Sequence, residues 1–356
     1  MAAQIKQAIN SVMPGAGGNQ AAWIDKEPRN PLRVGPADTP TAGDGEIVVK
    51  NHAIAINPVD WKIQDYGIFV QQFPFILGTD VAGEVVEVGS NVTRFKKGDR
   101  VLGHAISLGN QKSQHGGFQL YTAIDESFAA PIPSKLSFTE ATVLPLAIST
   151  AGQGLYDERE KGFLGLPYPS LEPQPCNKTI VVWGGSSSVG ALAIQLATAS
   201  GAKVVAVASK HNHAFVKKLG AVAAVDYKDP TIVDDVVKGI QTAGGEFAGV
   251  YDAIANEGSH KYVFEIVEQF RGGNNVAGTL PAPEGGAPEG VKYGSVFAIN
   301  PVNKPIWENY VGQALESGKL QAVPEPIVVG KGLENVQKGL DTNKAGVSAK
   351  KVVVEL

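Results

Sequence analysis

The residues of this chain best suited to holding a charged ligand lie in one short run, Gly184-Gly185-Ser186-Ser187-Ser188-Val189-Gly190. Glycines permit a tight turn, and a helix starting behind it offers free backbone N–H groups and a positive dipole end to a phosphate. Dinucleotide spacing would put glycines at positions 185, 187 and 190, and Ser187 stands at the middle one. Serine is the smallest polar replacement there, and its hydroxyl can donate to a pyrophosphate. An ordinary strand-to-helix turn is the plain alternative. A hydrolase nucleophile elbow needs glycines two residues either side of the serine, and Gly184-x-Ser186-x-Ser188 lacks the second.

About twenty residues later, where an NAD site usually carries a carboxylate for the ribose hydroxyls, the chain reads Ala208-Ser209-Lys210-His211-Asn212, with no acid. Ser209 and Lys210 can hydrogen-bond and neutralise a 2′-phosphate, so this end favours NADPH. The competing reading is that Lys210 only caps a surface loop. Tyr227, after Asp226, either packs beside the adenine or is a core-edge tyrosine. Of the histidines, His52, His104, His115, His211, His213 and His260, only His211 and His213 have two-residue spacing, and they fall at the edge expected for the 2′-phosphate; with Cys176 the single cysteine and no acid cluster, no metal is expected.

The flanks supply the elements that must position these groups. Thr179–Trp183 and Lys203–Ala208 are apolar runs either side of a small-residue helical segment, the strand, turn, helix, strand order of a dinucleotide-binding unit. Alternation continues through Lys217–Ala224, Thr231–Ile240, Val250–Ile254, Val276–Ala277 and Val296–Ala298, which predicts a doubly wound parallel sheet. Before it, residues 21–133 hold short strands with Gly, Asn and Asp turns, a β-rich region with a partly closed barrel as the candidate. Glu46–Ile56 alternates as a strand, Asn57-Pro58 opens a short helix to about Asp65, and Gly83 marks a bend or close backbone approach. Ser137 and Glu140 have capping-box spacing ahead of an apolar run to Ala151. Residues 157–177 read as a surface excursion, 281–290 as a loop, Pro305–Gly318 as a helix and Lys350–Leu356 as a closing strand that returns to the first region.

The 356 residues suit two domains, and at 43% apolar and 19% charged they can bury a sizeable core. With 31 basic against 35 acidic residues and no large basic block, nucleic acid is a poor partner. No apolar run reaches the ~20 residues of a membrane helix. Residues 1–20 read as a mobile arm without a signal-peptide core, so cytosol is expected.

Asn57-Pro58-Val59-Asp60-Trp61-Lys62, Gly78-Thr79-Asp80-Val81-Ala82-Gly83, Lys97-Gly98-Asp99-Arg100-Val101, Thr150-Ala151 and the glycine turn occur in an order that resembles the medium-chain dehydrogenase/reductase superfamily. Where zinc alcohol dehydrogenases have Gly-His-Glu, this chain has Gly78-Thr79-Asp80. It therefore resembles the zinc-independent branch, with quinone oxidoreductases and fungal trans-acting enoyl reductases. The resemblance implies a GroES-like catalytic domain over 1–146 and 300–356 and a Rossmann NADPH-binding domain over 147–299. Residue by residue, it places Thr150 at the nicotinamide end, with Asn57, Pro58 and Lys62 beside it. It places Ser186 to Val189 on the phosphates, and Ser209, Lys210, Asn212 and Tyr227 near the adenosine phosphate. Gly278, Thr279 and Leu280, with Phe297, Ala298 and Ile299, would line the nicotinamide pocket. Lys62 would stabilise an enolate or donate a proton, with Tyr66 as second donor. The expected activity is NADPH-dependent reduction of an activated C=C bond in a small molecule or an acyl-carrier-bound enoyl chain. Quinone reduction and non-catalytic NADPH binding are the alternatives, and a monomer is expected over a homodimer.

Overall fold

The alternating run Glu46–Ala55 buries one face and, in the computed structural model, which describes residues 18–27 and 31–356, becomes the spine of a seven-stranded sheet. In chain order the first strands are β1 (Asn19–Ile24), β2 (Arg33–Ala37), β3 (Glu46–Ala55), β4 (Phe75–Ile76), β5 (Asp80–Val88), β6 (Arg100–His104), β7 (Tyr121–Asp125) and β8 (Ala129–Pro131). Then come β9 (Lys178–Trp183), β10 (Lys203–Val207), β11 (Ala223–Val225), β12 (Glu246–Asp252), β13 (Asn275–Gly278) and β14 (Lys292–Ser295). Two more, β15 (Glu325–Lys331) and β16 (Lys350–Glu355), close the chain. The arm expected over 1–20 falls on residues 1–17, outside the described residues, except that Asn19 and Gln20 already belong to β1.

The large sheet runs β15-β16-β3-β5-β6-β8, with β7 also on β3, and β1, β2 and β4 form a smaller one. β16 lies antiparallel to β3, Val353 facing Ala55, and Val352, Val353 and Val354 are fully buried. The closing strand thus returns to the first region, as its apolar alternation predicts. The second sheet, β11-β10-β9-β12-β13-β14, is parallel at every pairing. From β9 the chain winds outward to β10 and β11, then crosses to β12 on the other side. That reversal opens a crevice at the carboxyl ends of the strands beside β9, the usual ligand position in such sheets.

Four helices carry or border the candidate site residues: α1 (Pro58–Tyr66), α2 (Pro145–Tyr156), α3 (Ser188–Ala199) and α4 (Val336–Ala345). The run from Ser137 to Ala151 is not one helix. Ser137 and Glu140 cap a single turn, Phe138–Ala141, and Pro145 then opens α2. Proline has no N–H to continue a ladder but suits a first helical turn. Every residue of α2 except Leu146 is buried, so it is a core helix joining the antiparallel strands to the parallel sheet.

Two further expectations are corrected. Residues 157–177 are irregular but not confined to the surface: Phe163, Leu164 and Leu166 are buried, and Arg159 ties the excursion down by donating to the carbonyls of Leu164, Ala248 and Gly272. The strand expected at Val296–Ala298 is instead the segment just before it, β14, whose Tyr293 and Gly294 pair with Val276 and Ala277. The Pro305–Gly318 helix forms, with a π turn at Trp307–Val311. No helix among the described residues is long and apolar enough to cross a membrane.

Gly83 is where β5 passes closest to β3: a Cβ there would stand 2.0 Å from the Lys50 carbonyl oxygen, beside a register shift between Asn51 and Ala53. Backbone cannot swing aside as a side chain can. Gly83→Ala is expected to lower unfolding stability by roughly 2–4 kcal/mol, read as a fall in urea midpoint at unchanged slope.

Candidate functional site

The glycine turn follows β9 directly. Gly184 sits at φ +75°, and a Cβ on Gly190 would come within 2.2 Å of the Gly184 oxygen, so the first turn of α3 packs on the strand end only because both residues are glycine. Ser187 is the N-cap of α3: its Oγ accepts from Gly190 N at 3.0 Å. The serine at the middle position therefore caps the helix and keeps its O–H to donate outward. Ser188 Oγ is buried with no hydrogen-bond partner. An orphaned hydroxyl at a helix N-terminus fits the phosphates of a nucleotide, which would satisfy it.

Backbone hydrogen bonds carry the site along the sheet edge. Gly185 N donates to Val207 O, Ala208 N to Val225 O, Ala253 N to Trp183 O and Thr279 N to Asp252 O. The ends of five neighbouring strands thus form one continuous rim. Ser209 and the exposed Lys210 follow β10, Asn212 N donates to Ser209 O, and Tyr227 is exposed with the Lys228 ammonium 5.8 Å from its ring. Sequence reasoning passed over one acid near this corner. Asp229, held below the usual carboxylate range chiefly by hydrogen bonds from Thr231, also feels Lys210.

At the other end of the rim, Gly278 O accepts from Val296 N, and Tyr293 Oη donates to Leu280 O at 3.0 Å. Phe297 N donates to Gln153 Oε1 of α2, and Asn303 Nδ2 bridges Ala298 O and Ser149 O. These bonds gather Gly278, Thr279, Leu280, Phe297, Ala298 and α2 into one neighbourhood. Thr150 lies there, its Oγ1 donating to Leu146 O at 2.7 Å and its carbonyl accepting from Tyr251 Oη. Lys62 and Tyr66 are on α1, whose outer face meets α4 through Trp61–Asn343 and Asp65–Lys344. Lys62 Nζ lies 5.7 Å from the Trp61 ring centroid and has no ion pair or hydrogen bond among the described residues; Tyr66 is 65% exposed. No hydrogen bond joins Lys62 or Tyr66 to Thr150.

Between α1 and α2 lies a group that sequence reasoning missed. Asn57 occupies the N-cap of α1 before Pro58 and forms a capping box with Asp60. Asp60 Oδ2 accepts from Asn57 N at 2.7 Å, and the Asn57 Nδ2, whose donors a helix cap does not use, donates to Thr79 Oγ1 at 2.9 Å and Asp80 Oδ2 at 2.7 Å. Lys351 Nζ, from β16, sits 2.9 Å from Asp80 Oδ2 and donates to Asn57 Oδ1. Leu146 N, at the start of α2, donates to Asp80 Oδ1 at 2.5 Å. Asp80 and Asp60 have no exposed surface, and Lys351 is 3% exposed. The Gly78-Thr79-Asp80 motif brings Asp80 to notice, but nothing in the sequence links it to a lysine in the last strand.

Comparison with known proteins bears on this arrangement. A family model described as "Alcohol dehydrogenase GroES-like domain" matches residues 43–134, and one described as "Zinc-binding dehydrogenase" matches 188–289. The chain is 48% identical over 349 residues to "Dehydrogenase orsE" of Emericella nidulans, covering 95% of this chain and 99% of that protein. It is 44% identical over 347 residues to "Trans-enoyl reductase himH" of Aspergillus japonicus, covering 95% and 97%. An alcohol dehydrogenase superfamily protein from Novosphingobium aromaticivorans superposes with a TM-score of 0.74 at 24% identity, over 95% of this chain and 99% of that one. The zinc implied by the second description does not fit the residues present. Both Asp80 oxygens and the Thr79 hydroxyl are engaged by Asn57, Lys351 and Leu146, and no cluster of three His, Cys, Asp or Glu able to hold a metal occurs among the described residues.

Two buried groups beside Asp80 titrate abnormally. Burial pushes the Asp60 carboxyl up to about 7, against the pull of the Asn57 N–H, and the Asp80 charge adds to the rise. Burial pulls the His104 imidazole down to about 4, opposed by Asp80; its Nδ1 meets Ser149 Oγ at 3.0 Å and its Nε2 has no partner. Between about pH 4 and 7 folded Asp60 keeps a proton that the unfolded chain has lost, so its contribution to stability falls as pH rises. His104 acts oppositely: below its unfolded value the unfolded chain takes a proton that the folded one refuses, so stability climbs from about pH 4 to 6.5. Asp60→Asn is expected to remove the first slope, on the order of 2–4 kcal/mol, and expose the second. Urea unfolding at several pH values between these limits reads it; an unchanged pH profile in the variant would refute the Asp60 assignment.

Proposed function

Because the chain belongs to the medium-chain dehydrogenase/reductase superfamily and is an oxidoreductase of that type, we propose that it is a zinc-free, NADPH-dependent reductase of an activated C=C bond in an enoyl thioester or enone. The observation that carries this reading is the occupancy of the Gly78-Thr79-Asp80 position by Asn57 and Lys351, which with Leu146 N engage the Thr79 and Asp80 oxygens that would otherwise be free to hold a Lewis acid. Reduction of a conjugated C=C bond needs less: charge collects on a carbonyl oxygen that an ammonium or hydroxyl can stabilise. The name of the relative 44% identical to this chain, a trans-enoyl reductase, supports the same chemistry.

Bound NADPH supplies the hydride that adds to the β-carbon. The α3 N-terminus, with Ser186, Ser187, Ser188 and Val189, holds the phosphates between Gly185 and Gly190, and Ser209 and Lys210 receive the 2′-phosphate. Thr150 meets the nicotinamide end, between α2 and the segments Gly278–Leu280 and Phe297–Ala298. Lys62, whose ammonium meets no anion among the described residues, stabilises the enolate oxygen or hands a proton to the α-carbon, with Tyr66 as second donor. The division into 1–146 with 300–356 and 147–299, a monomeric state, a cytosolic location and a small-molecule or carrier-bound enoyl substrate belong to the same reading.

A panel of enoyl thioesters, enones and quinones with NADPH tests it: preferential turnover of a quinone gives the quinone reductase alternative, and tight NADPH binding without turnover gives the non-catalytic one. Lys62→Ala is expected to lower kcat about 100-fold with NADPH affinity retained; full activity removes Lys62 from the mechanism. Lys210→Ala is expected to cut the preference for NADPH over NADH by about tenfold or more, measured as the ratio of kcat/KM values.

A further inference from the structure

We infer that Lys351 is a positioning residue for this reaction: its ammonium is a cation built into the Asp80 position, and through Asp80 it sets the two helix starts that carry Thr150 and Lys62. The inference rests on the proposed function. A continuous path supports it. Lys351 Nζ contacts Asp80 Oδ2, Asp80 Oδ1 accepts from Leu146 N, and Leu146 O accepts from Thr150 Oγ1 one turn into α2. A second branch runs from Lys351 through Asn57 Oδ1 to the first residue before α1, the helix of Lys62.

Burial makes the charge itself informative. A buried ion pair is seldom more stabilising than an apolar pair of the same volume, so stability alone is a weak reason for one at this depth. What an ammonium adds is direction: its donors fix two acceptors from different elements, which a methyl group cannot do. Val352, Val353 and Val354 are fully buried and would hold β16 in place without a charge beside them. In a site whose remaining donors do not fit zinc, Lys351 supplies the positive charge at the meeting point of α1, β5 and α2.

The full-length wild type, Lys351→Met and the double variant Asp80→Asn/Lys351→Met distinguish positioning from simple charge balance. Lys351→Met leaves Asp80 buried without its cation, and its melting temperature is expected to drop. The double variant leaves no unpaired charge, and its melting temperature is expected to return to within a few degrees of wild type. Calorimetry with NADPH and with its adenosine fragment, 2′,5′-ADP, then reads the two ends of the site separately. The double variant is expected to bind NADPH about tenfold more weakly while holding 2′,5′-ADP within about twofold, because the path ends at Thr150 and not at Lys210. Its kcat with the substrate that wild type reduces is expected to be down at least about tenfold. Recovery of NADPH affinity and kcat together with the melting temperature overturns the inference, as does equal weakening of both ligands. Should the double variant not fold, Lys351→Arg, which keeps the charge, is expected to hold the NADPH to 2′,5′-ADP affinity ratio within about threefold of wild type; a folded Lys351→Arg protein that loses the ratio overturns the inference equally. Wild type that binds NADPH but reduces no acceptor defeats the functional reading while the affinity ratio still decides Lys351. Wild type that binds neither NADPH nor NADH defeats both.

Discussion

A carboxylate with no exposed surface has to be met by donors from somewhere, and in this fold Asp80 is met from three directions. Asn57 reaches it from the start of α1, Leu146 from the start of α2 and Lys351 from the last strand. Leaving such a group unpaired is far more expensive than any surface contact. The requirement therefore works as a constraint on assembly: the antiparallel sheet, the bridging helix and the chain terminus must all arrive before it is satisfied.

The two ends of the proposed cofactor site are built on different physics. The phosphate end is local: a glycine at positive φ, a second glycine packed on the strand end and a serine cap all fall within a few residues of β9. Such a turn presents its N–H groups whatever the rest of the chain does. The nicotinamide end is assembled by long-range hydrogen bonds, from Gln153 to Phe297, from Asn303 to Ser149 and Ala298, and from Tyr251 to Thr150. Its shape is set by the packing of α2, which is buried on nearly every side and cannot move independently of the sheet. In the proposed site one end is thus held by local turn geometry and the other by long-range packing.

The strand, turn, helix, strand unit was legible because period and punctuation agree there: two apolar runs, a glycine turn and a small-residue helix each predict the same element. Gly83 was legible for a similar reason, since an isolated glycine in a strand marks a close approach, and the Lys50 carbonyl proves to be what approaches. Ambiguous local signals point elsewhere than the packing does. Val296–Ala298 is apolar enough for a strand, but the sheet edge is taken by the segment before it. Phe163, Leu164 and Leu166 sit in a polar, proline-rich stretch whose composition hides the three side chains that enter the core.

Asn57 marks the boundary between the two kinds of knowledge. Asn-Pro ahead of a short apolar pattern is sufficient to start α1, because backbone geometry at a helix start depends on neighbouring residues alone. By itself the sequence determined that start, the glycine turn between strand and helix, the parallel pairing of the second half and the return of the closing strand. Only the tertiary structure decided that the Asn57 amide donates to Asp80, and that Lys351, 294 residues further on, meets it there. No local pattern encodes that meeting, since it exists only when β16 docks on β3 and brings an ammonium into a space from which water has been removed.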